Sequence, residues 1–342
     1  MSSTVTTRRE FLRTAAVGVV GLITSRSARA GTPTNEPSRH PNILFCIADD
    51  WSWPHASIAG DKVVKTPTFD RIAREGVLFC NAFVTAPSCT PSRGSILTGQ
   101  YHWRLEEGGN LWSTLPAKFD VYPDLLAEAG YYVGYTRKGW GPGHYQPGGR
   151  TRNPAGPQFK DFAAFLEARP QGTPFCFWFG SNDPHRPYEQ DSGVKNGMRP
   201  EDVQVPPYLP DSQTVRKDLC DYYFEVQRFD REVGELLSLL EERGELDRTL
   251  VVMTGDNGFP FPRGKSNLYD GGTNVPLAVR WPRRVAGGRH VEDFVSLQDL
   301  APTFLEAVGL TPPAAMTGRS LLELLVSGKS GRIDPARDHV LV

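Results

Sequence analysis

The sequence has 342 residues, of which 39% are hydrophobic and 23% are charged, and its formal net charge is -1. This composition is typical of a globular protein, and the length fits one large α/β domain or two smaller domains. A nearly neutral chain without a long basic run gives no indication of a nucleic-acid partner. The five cysteines are too few and too scattered for a disulfide scaffold.

The first thirty residues contain the three regions of an export signal. Arg8-Arg9 lies in a twin-arginine pattern, residues 15–23 are apolar, and Ala28-Arg29-Ala30 provides a cleavage site. We therefore expect residues 1–30 to be a signal peptide that the twin-arginine translocase recognises. The mature chain is then exported to the periplasm or the extracellular space. The apolar stretch is too short for a permanent membrane anchor.

A polar linker is predicted over residues 31–41, and short apolar runs then alternate with helical patterns through residues 42–342. This order predicts an α/β fold with a mainly parallel sheet that is flanked by helices. Runs without polar alternation suit strands that are covered on both faces. The predicted strands are residues 42–48, 77–84, 131–135, 175–180, 249–254 and 275–281. The predicted helices are residues 69–75, 122–129, 159–168, 215–243 and 300–308.

Two long segments, residues 138–156 and 184–210, have the glycines and prolines of loops. Long loops inside a compact domain are usually functional or disordered. Both segments follow predicted strands at their carboxyl ends, where α/β sheets keep their ligand sites. We expect both loops to border the functional site.

Polar residues also end two of the predicted strands directly. Asp49-Asp50 follows the first strand, and Asp256-Asn257 follows a later one. Taken alone, each pair is a good turn signal. Together they offer three carboxylates and one amide oxygen, which are the donors that Ca²⁺ or Mg²⁺ prefers over zinc.

The most specific segment is residues 88–99, Ser-Cys-Thr-Pro-Ser-Arg-Gly-Ser-Ile-Leu-Thr-Gly. Pro91 and Ser92 indicate that a helix starts beside Cys89, so the unpaired backbone N–H groups of its first turn favour a bound anion. Arg93 adds planar donors that keep their charge. The Cys-x-Pro-Ser-Arg motif with the following Thr-Gly resembles the signature of the formylglycine-dependent sulfatases.

The resemblance extends along nearly the whole mature chain, and it implies an alkaline-phosphatase-like fold. In that family a formylglycine-generating or sulfatase-maturating enzyme oxidises the signature cysteine, which is Cys89 in this chain. The hydrate of the resulting formylglycine is the nucleophile that attacks sulfur. The resemblance also implies that Ca²⁺ is bound by Asp49, Asp50, Cys89, Asp256 and Asn257.

Other matching positions imply the residues that bind and cleave the sulfate group. By the resemblance, Arg93, Lys138 and Lys265 contact sulfate oxygens. His185, in a Pro-His-x-Pro stretch, contacts sulfate and protonates the leaving group. Residues 256–269 are most similar to the heparan N-sulfatases, which implies the N-sulfoglucosamine of heparan sulfate as the substrate.

The chain departs from the family pattern in two places. The family has Gly-Lys-Trp-His-x-Gly, whereas Lys138 is followed by Gly139-Trp140, so the expected histidine is absent at Trp140. Either His144 takes its role from a rearranged loop or the role is lost. The sequence stops at Val342, where family members usually continue into a small C-terminal domain with an antiparallel sheet, and we expect that domain to be missing.

Two other functions remain open on the same fold. The first is hydrolysis of a different ester, as in an O-sulfatase or a phosphonate or phosphate monoester hydrolase. The second is an inactive protein that binds sulfated glycans without turning them over. Activity on sulfated and phosphorylated esters separates the two kinds of hydrolase, and sulfate release separates an enzyme from a binding protein.

Overall fold

A seven-stranded sheet lies at the centre of the computed structural model, which describes residues 40–342. The predicted signal peptide and nearly all of the predicted linker lie outside the described residues. The strands are β1 (Asn42–Ala48), β2 (Val77–Phe83), β3 (Tyr132–Arg137), β4 (Phe175–Gly180), β5 (Thr249–Gly255), β6 (Leu277–Arg280) and β7 (Arg289–Ser296). Their order across the sheet is β3-β4-β1-β5-β6-β2-β7.

Strand β1 runs parallel to both of its neighbours, β4 and β5. All of its residues are buried, as expected for a strand that is covered on both faces. Of the seven strands, only β6 is antiparallel to its neighbours, which confirms the predicted, mainly parallel sheet. The register pairs Ile47 with Gly180 and Ala48 with Gly255. The residues that follow β1, β4 and β5 therefore lie at one edge of the sheet.

Helices cover both faces of the sheet. Alternate side chains of β1 enter two separate apolar clusters. On one face Phe45 contacts Phe304 of the helix Leu300–Ala307, with ring centroids 5.8 Å apart. The other face packs against the apolar side of the long helix Gln213–Glu242. None of the helices in residues 40–342 combines the length and the hydropathy needed to cross a bilayer. The helices are α1 (Pro67–Glu75), α2 (Cys89–Thr98), α3 (Tyr122–Glu128), α4 (Phe162–Ala168), α5 (Ser192–Lys195), α6 (Gln213–Glu242), α7 (Asp270–Thr273), α8 (Leu300–Ala307) and α9 (Leu322–Val326).

Strand β7 is the one strand of the sheet that the sequence analysis missed, and the short helices α5, α7 and α9 were not predicted either. Strand β7 lies at the sheet edge beside β2, and its exposed His290 and Glu292 alternate with buried residues. This alternation is typical of a half-exposed strand, whereas the prediction relied on uninterrupted apolar runs. Two predicted elements are shorter than expected: β6 covers Leu277–Arg280, and α4 begins at Phe162 because Asp161 caps it.

Candidate active site

The ends of β1 and β5 bring the predicted polar residues together. Asp49 and Asp50 follow β1 directly, and Asp256 and Asn257 follow β5. The Asp256 N–H donates to the Ala48 carbonyl over 3.0 Å, and the Asp50 N–H donates to Asp256 Oδ1, also over 3.0 Å. The first bond extends the parallel pairing beyond the strands, and the second ties the Asp256 carboxylate to the backbone of Asp50, so that three carboxylates lie side by side.

Asp50 adopts a backbone conformation that needs support from its surroundings. Its φ of 80° lies in the left-handed region, which is uncommon for residues other than glycine. Its carboxylate accepts hydrogen bonds from Lys265 Nζ (2.9 Å) and Asn257 Nδ2 (2.8 Å). Burial and repulsion from Asp49 and Asp256 raise the pKa of Asp50 to about 6, although Lys265 opposes them. An additional positive charge beside Asp50 would therefore stabilise its ionised carboxylate.

Cys89 is the first residue of α2, so the predicted helix start is confirmed. Its Sγ lies 3.3 Å from Asp49 Oδ1 and 3.9 Å from Asp50 Oδ1, and only 2% of the residue is exposed. Burial and the neighbouring Asp256 and Asp49 raise the pKa of the Cys89 thiol. An unmodified thiol at this position stays protonated at neutral pH and is a poor nucleophile.

Arg93, one turn further along α2, is fully buried. Its Nε donates to Asp256 Oδ2 over 2.7 Å, and its Nη1 donates to the carbonyl oxygens of Lys138 (2.8 Å) and Gly139 (3.0 Å). Within the described residues, its Nη2 has no hydrogen-bond partner and lies 3.9 Å from Asp49 Oδ1. A buried donor without a partner is costly, so Nη2 is a ready contact for an anionic ligand.

Two lysines reach the same carboxylates from different loops. Lys138 Nζ donates to Asp49 Oδ2 over 2.5 Å, and Lys265 Nζ lies 2.7 Å from Asp50 Oδ1. Both side chains are 18% exposed, so their ammonium groups face the cleft. Lys138 can approach β4 closely because residue 180 is glycine. A Cβ on Gly180 would lie 1.7 Å from the Lys138 carbonyl oxygen.

The buried acids face an equal number of cations. Burial would raise the pKa of Asp256, but Arg93 and the two lysines lower it to about 2. The carboxylate of Asp256 is therefore ionised at neutral pH. The two sets are Asp49, Asp50 and Asp256 on one side and Arg93, Lys138 and Lys265 on the other.

His185 lies on the loop after β4, and its orientation is fixed by the backbone. Its Nδ1 is 2.5 Å from the Arg186 carbonyl oxygen, and because a carbonyl only accepts, Nδ1 carries the proton. Nε2 then faces the site, 3.9 Å from Asp50 Oδ2. Arg186 anchors the loop through two hydrogen bonds to Asp218, of 2.8 and 2.6 Å.

One group of side chains has the arrangement of a metal site. The ligand atoms of Asp49, Asp50, Cys89 and His185 all lie within 4.8 Å of one another. Asn257 Oδ1 is buried and has no hydrogen-bond partner within the described residues, as expected for an oxygen that is oriented toward a cation. Both carboxylate oxygens of Asp256 are already engaged, by Arg93 and the Asp50 N–H. Its role as a ligand stays a prediction.

A cleft of about 870 Å³ opens above Cys89 and is lined by both of the predicted loops. Of the four predicted sulfate-binding residues, Lys138, His185 and Lys265 line it, whereas Arg93 is fully buried and is not among the lining residues. Trp140 also lines the cleft, whereas His144 is exposed and is not among the lining residues. His144 therefore does not occupy the place of the family histidine.

Several cleft residues escaped the sequence analysis. Arg228 of α6 binds the Asp183 carboxylate with two hydrogen bonds of 2.5 Å and also pairs with Glu225. Burial and the neighbouring Asp183 raise the pKa of Glu225 to about 8, despite Arg228. The sequence signal that could have identified them is the presence of two charged residues, Glu225 and Arg228, beside the apolar face of α6. The remaining unpredicted residues include Trp112 and Arg137.

Residues 41–153 and 157–310 match the model of the sulfatase family, and the chain belongs to this family. It is 32% identical to human N-sulphoglucosamine sulphohydrolase over 84% of this chain and 66% of the relative. It is 27% identical to an ulvan-active sulfatase from Formosa agariphila over 87% of this chain and 57% of the relative. The chain thus spans between 57% and 66% of the length of these two relatives.

Solved structures confirm the predicted fold class. The crystal structure of yidJ from Bacteroides fragilis superposes with a TM-score of 0.73 at 22% sequence identity. The match covers 88% of this chain and 81% of the other. The mainly parallel sheet with helices on both faces is thus the alkaline-phosphatase-like fold of sulfatases.

Calcium should raise the thermal unfolding temperature of the protein, because an ion that binds only the native state stabilises it by mass action. We expect a shift of about 5 °C when the Ca²⁺ concentration is on the order of 100 times Kd. Asp50→Asn should lose most of this shift, since it removes one charged ligand. The measurement is differential scanning fluorimetry of EDTA-treated protein with and without Ca²⁺.

Asp230→Asn is the matched control. Asp230 is as buried as Asp50, but it accepts hydrogen bonds from the N–H groups of Thr68 and Phe69 in α1. The control variant should keep the Ca²⁺-dependent shift whatever its own stability. Equal shifts in both variants, or no shift in the unmutated protein, would contradict the metal site.

Proposed function

We propose that this chain hydrolyses the sulfate group of a sulfated glycan, with residue 89 as the nucleophile after its oxidation to formylglycine. The observation that carries this proposal is the position of Cys89. It lies at the helix start, at the base of the cleft, beside two carboxylates and within reach of buried cations. Membership of the sulfatase family supports it, as do the relatives, which are named for ulvan and for N-sulphoglucosamine.

The chemistry that the modified residue supplies is an aldehyde hydrate, one hydroxyl of which attacks sulfur. A thiol with a raised pKa is poorly suited to this role, which supports the need for the modification. Cys89 is 2% exposed, so a maturation enzyme reaches it before the chain folds. A formylglycine-generating or sulfatase-maturating enzyme is therefore a proposed partner.

The proposed metal is Ca²⁺, which would place positive charge beside the transferred sulfate. The oxygen donors at the two strand ends support a hard cation, as does the unpaired Asn257 Oδ1. The residues that we propose as ligands are Asp49, Asp50, residue 89, Asp256 and Asn257.

Three cations of the chain would hold the sulfate oxygens. Arg93 contributes its unpaired Nη2, and Lys138 and Lys265 contribute ammonium groups that face the cleft. Because these groups are already in place before the substrate binds, little reorganisation opposes charge development on the sulfate. In its doubly protonated form, with Nδ1–H held by the Arg186 carbonyl, His185 would deliver the proton of Nε2 to the departing oxygen or nitrogen and return to the neutral ring.

Replacement of Cys89 by alanine should abolish turnover, because alanine can neither be oxidised to an aldehyde nor attack sulfur. We expect the kcat/KM for an activated aryl sulfate to fall by at least about 1,000-fold. Cys220→Ala is the control, since Cys220 is also a buried, free cysteine but lies on α6 outside the cleft lining. Comparable losses in the two variants would indicate a structural defect and not a missing nucleophile.

We propose N-sulfated glucosamine as the substrate unit, on the basis of the 32% identity to N-sulphoglucosamine sulphohydrolase. An amine leaves poorly until it is protonated, whereas an activated phenol needs little help. His185→Ala should therefore reduce the kcat for an N-sulfated disaccharide about 100-fold and change the kcat for an aryl sulfate much less. Sulfate release by the unmutated protein and by His185→Ala on both substrates is the measurement.

Other substrates distinguish the alternatives. Release of sulfate from 6-O- or 2-O-sulfated disaccharides alone would overturn the N-sulfate assignment and leave a sulfatase. Preferential hydrolysis of a phenyl phosphonate or phosphate ester would favour the phosphonate or phosphate monoester hydrolase. Binding of all sulfated disaccharides without any release would favour a glycan-binding protein.

We also propose that the chain is exported after it has folded around the modified residue. Arg8-Arg9 supports the twin-arginine route, which carries folded proteins. Replacing both arginines with lysine should leave the unprocessed precursor inside the cell, as measured by immunoblots of cell fractions. Normal secretion of this variant would rule out the twin-arginine route without affecting the proposed reaction.

A further inference from the structure

A large aromatic side chain stands exposed at the rim of the cleft. Trp112 is 69% exposed, and it lines the same cavity as Cys89, Lys138 and His185. Leu111, which is 43% exposed, lies next to it on the same rim. Exposing so much apolar surface is unfavourable in water, and adjoining exposed apolar side chains mark ligand-binding or interaction sites.

The backbone of Trp112 is also held in a strained conformation. Its φ of 58° lies in the left-handed region, where a bulky side chain is a genuine outlier. Such conformations persist when the surrounding structure enforces them, and they concentrate at ligand sites. Holding Trp112 in this turn therefore costs conformational energy that an ordinary surface loop would not require.

A short series of contacts connects this turn to the helix of the nucleophile. The Ser113 carbonyl accepts a hydrogen bond of 3.0 Å from the His144 N–H, and Ser113 forms a bridge with Gly143. A Cβ on Gly143 would lie 2.5 Å from the Ser113 oxygen, so glycine permits the close approach. The adjacent Pro142 carbonyl accepts a hydrogen bond of 2.5 Å from Thr90 Oγ1, next to Cys89. The backbone of the turn that carries Trp112 is thus tied to the loop that contacts Thr90, next to the reacting residue.

Trp103 provides a comparison, because an exposed tryptophan does not always have a ring without contacts. Trp103 is 50% exposed, but its ring stacks on Tyr101 with centroids 4.3 Å apart. It is not among the residues that line the cleft. No ring contact or hydrogen bond of the Trp112 side chain is found among the described residues, so its face is free for a ligand.

We propose that Trp112 is a specificity-determining residue that stacks on a pyranose ring of the sulfated substrate. A sugar ring has a C–H face that suits an aromatic surface and hydroxyl groups at its edges that suit polar partners. Arg137 and Arg228 line the same cleft and offer donors to such groups. The inference rests on the proposed function in one respect: it takes the substrate to be a glycan and not a simple alkyl sulfate.

Binding measurements test the stacking separately from turnover. In a Cys89→Ala background, calorimetry gives Kd for an N-sulfated heparin disaccharide and for inorganic sulfate, which has no ring. Trp112→Gly should weaken disaccharide binding about fivefold to tenfold and leave sulfate binding unchanged. Glycine accepts a positive φ, so this variant should be at least as stable as the parent. Trp112→Phe should restore most of the affinity, and Trp103→Ala should change neither Kd.

Each outcome decides for or against the stacking role. Equal weakening of both ligands by Trp112→Gly would show that the turn shapes the anion site, which overturns the proposal. Unchanged disaccharide affinity would overturn it as well, and so would a parent protein that binds sulfate but not the disaccharide. Binding that depends on Trp112 in a chain that releases no sulfate would support the stacking role while refuting the proposed hydrolysis.

Discussion

The buried ion pair between Arg93 and Asp256 joins the parts of the site. Asp256 follows the central strand β5, and its backbone N–H binds the end of β1. Arg93 lies one turn after Cys89 in α2. Its Nε binds Asp256, and its Nη1 donates to the backbone carbonyls of Lys138 and Gly139. One guanidinium therefore fixes the helix of Cys89, the end of β5 and the loop of Lys138 relative to one another.

Charge balance is the second constraint on this site. Removing one partner of a buried ion pair costs about 3–5 kcal/mol, because the other charge is left in the protein interior. The three carboxylates and three cations therefore depend on each other for stability as well as for any reaction. Within residues 40–342, Arg93 Nη2 and Asn257 Oδ1 are buried polar atoms of this site that lack a hydrogen-bond partner. An anion and a cation, respectively, would satisfy them.

Much of this arrangement could be predicted because it follows from local sequence. Apolar runs gave β1 and β5, and the polar residues directly after them had to lie at one edge of a parallel sheet. Pro91 gave the start of α2. The pairings of the charges could not be predicted in the same way. Arg93 and Asp256 are 163 positions apart, and only the folded chain shows which carboxylate the guanidinium meets.

The features that were missed share a physical cause. Strand β7 is half exposed, Arg228 projects from a helix whose apolar face was the only pattern considered, and Trp112 stands on an irregular turn. Periodicity describes what enters the core, and it says little about residues that face a cleft. The loss of the family histidine at Trp140 could be read from the sequence, but the location of His144 outside the cleft required the structure.

The most direct test of the account is the chemical state of residue 89 in protein purified from its native host. Mass spectrometry of the peptide that contains residues 88–93 reads this state without any substrate. We expect an aldehyde in place of the thiol, in proportion to the specific activity of the preparation. A fully active preparation in which Cys89 is an unmodified thiol would contradict it.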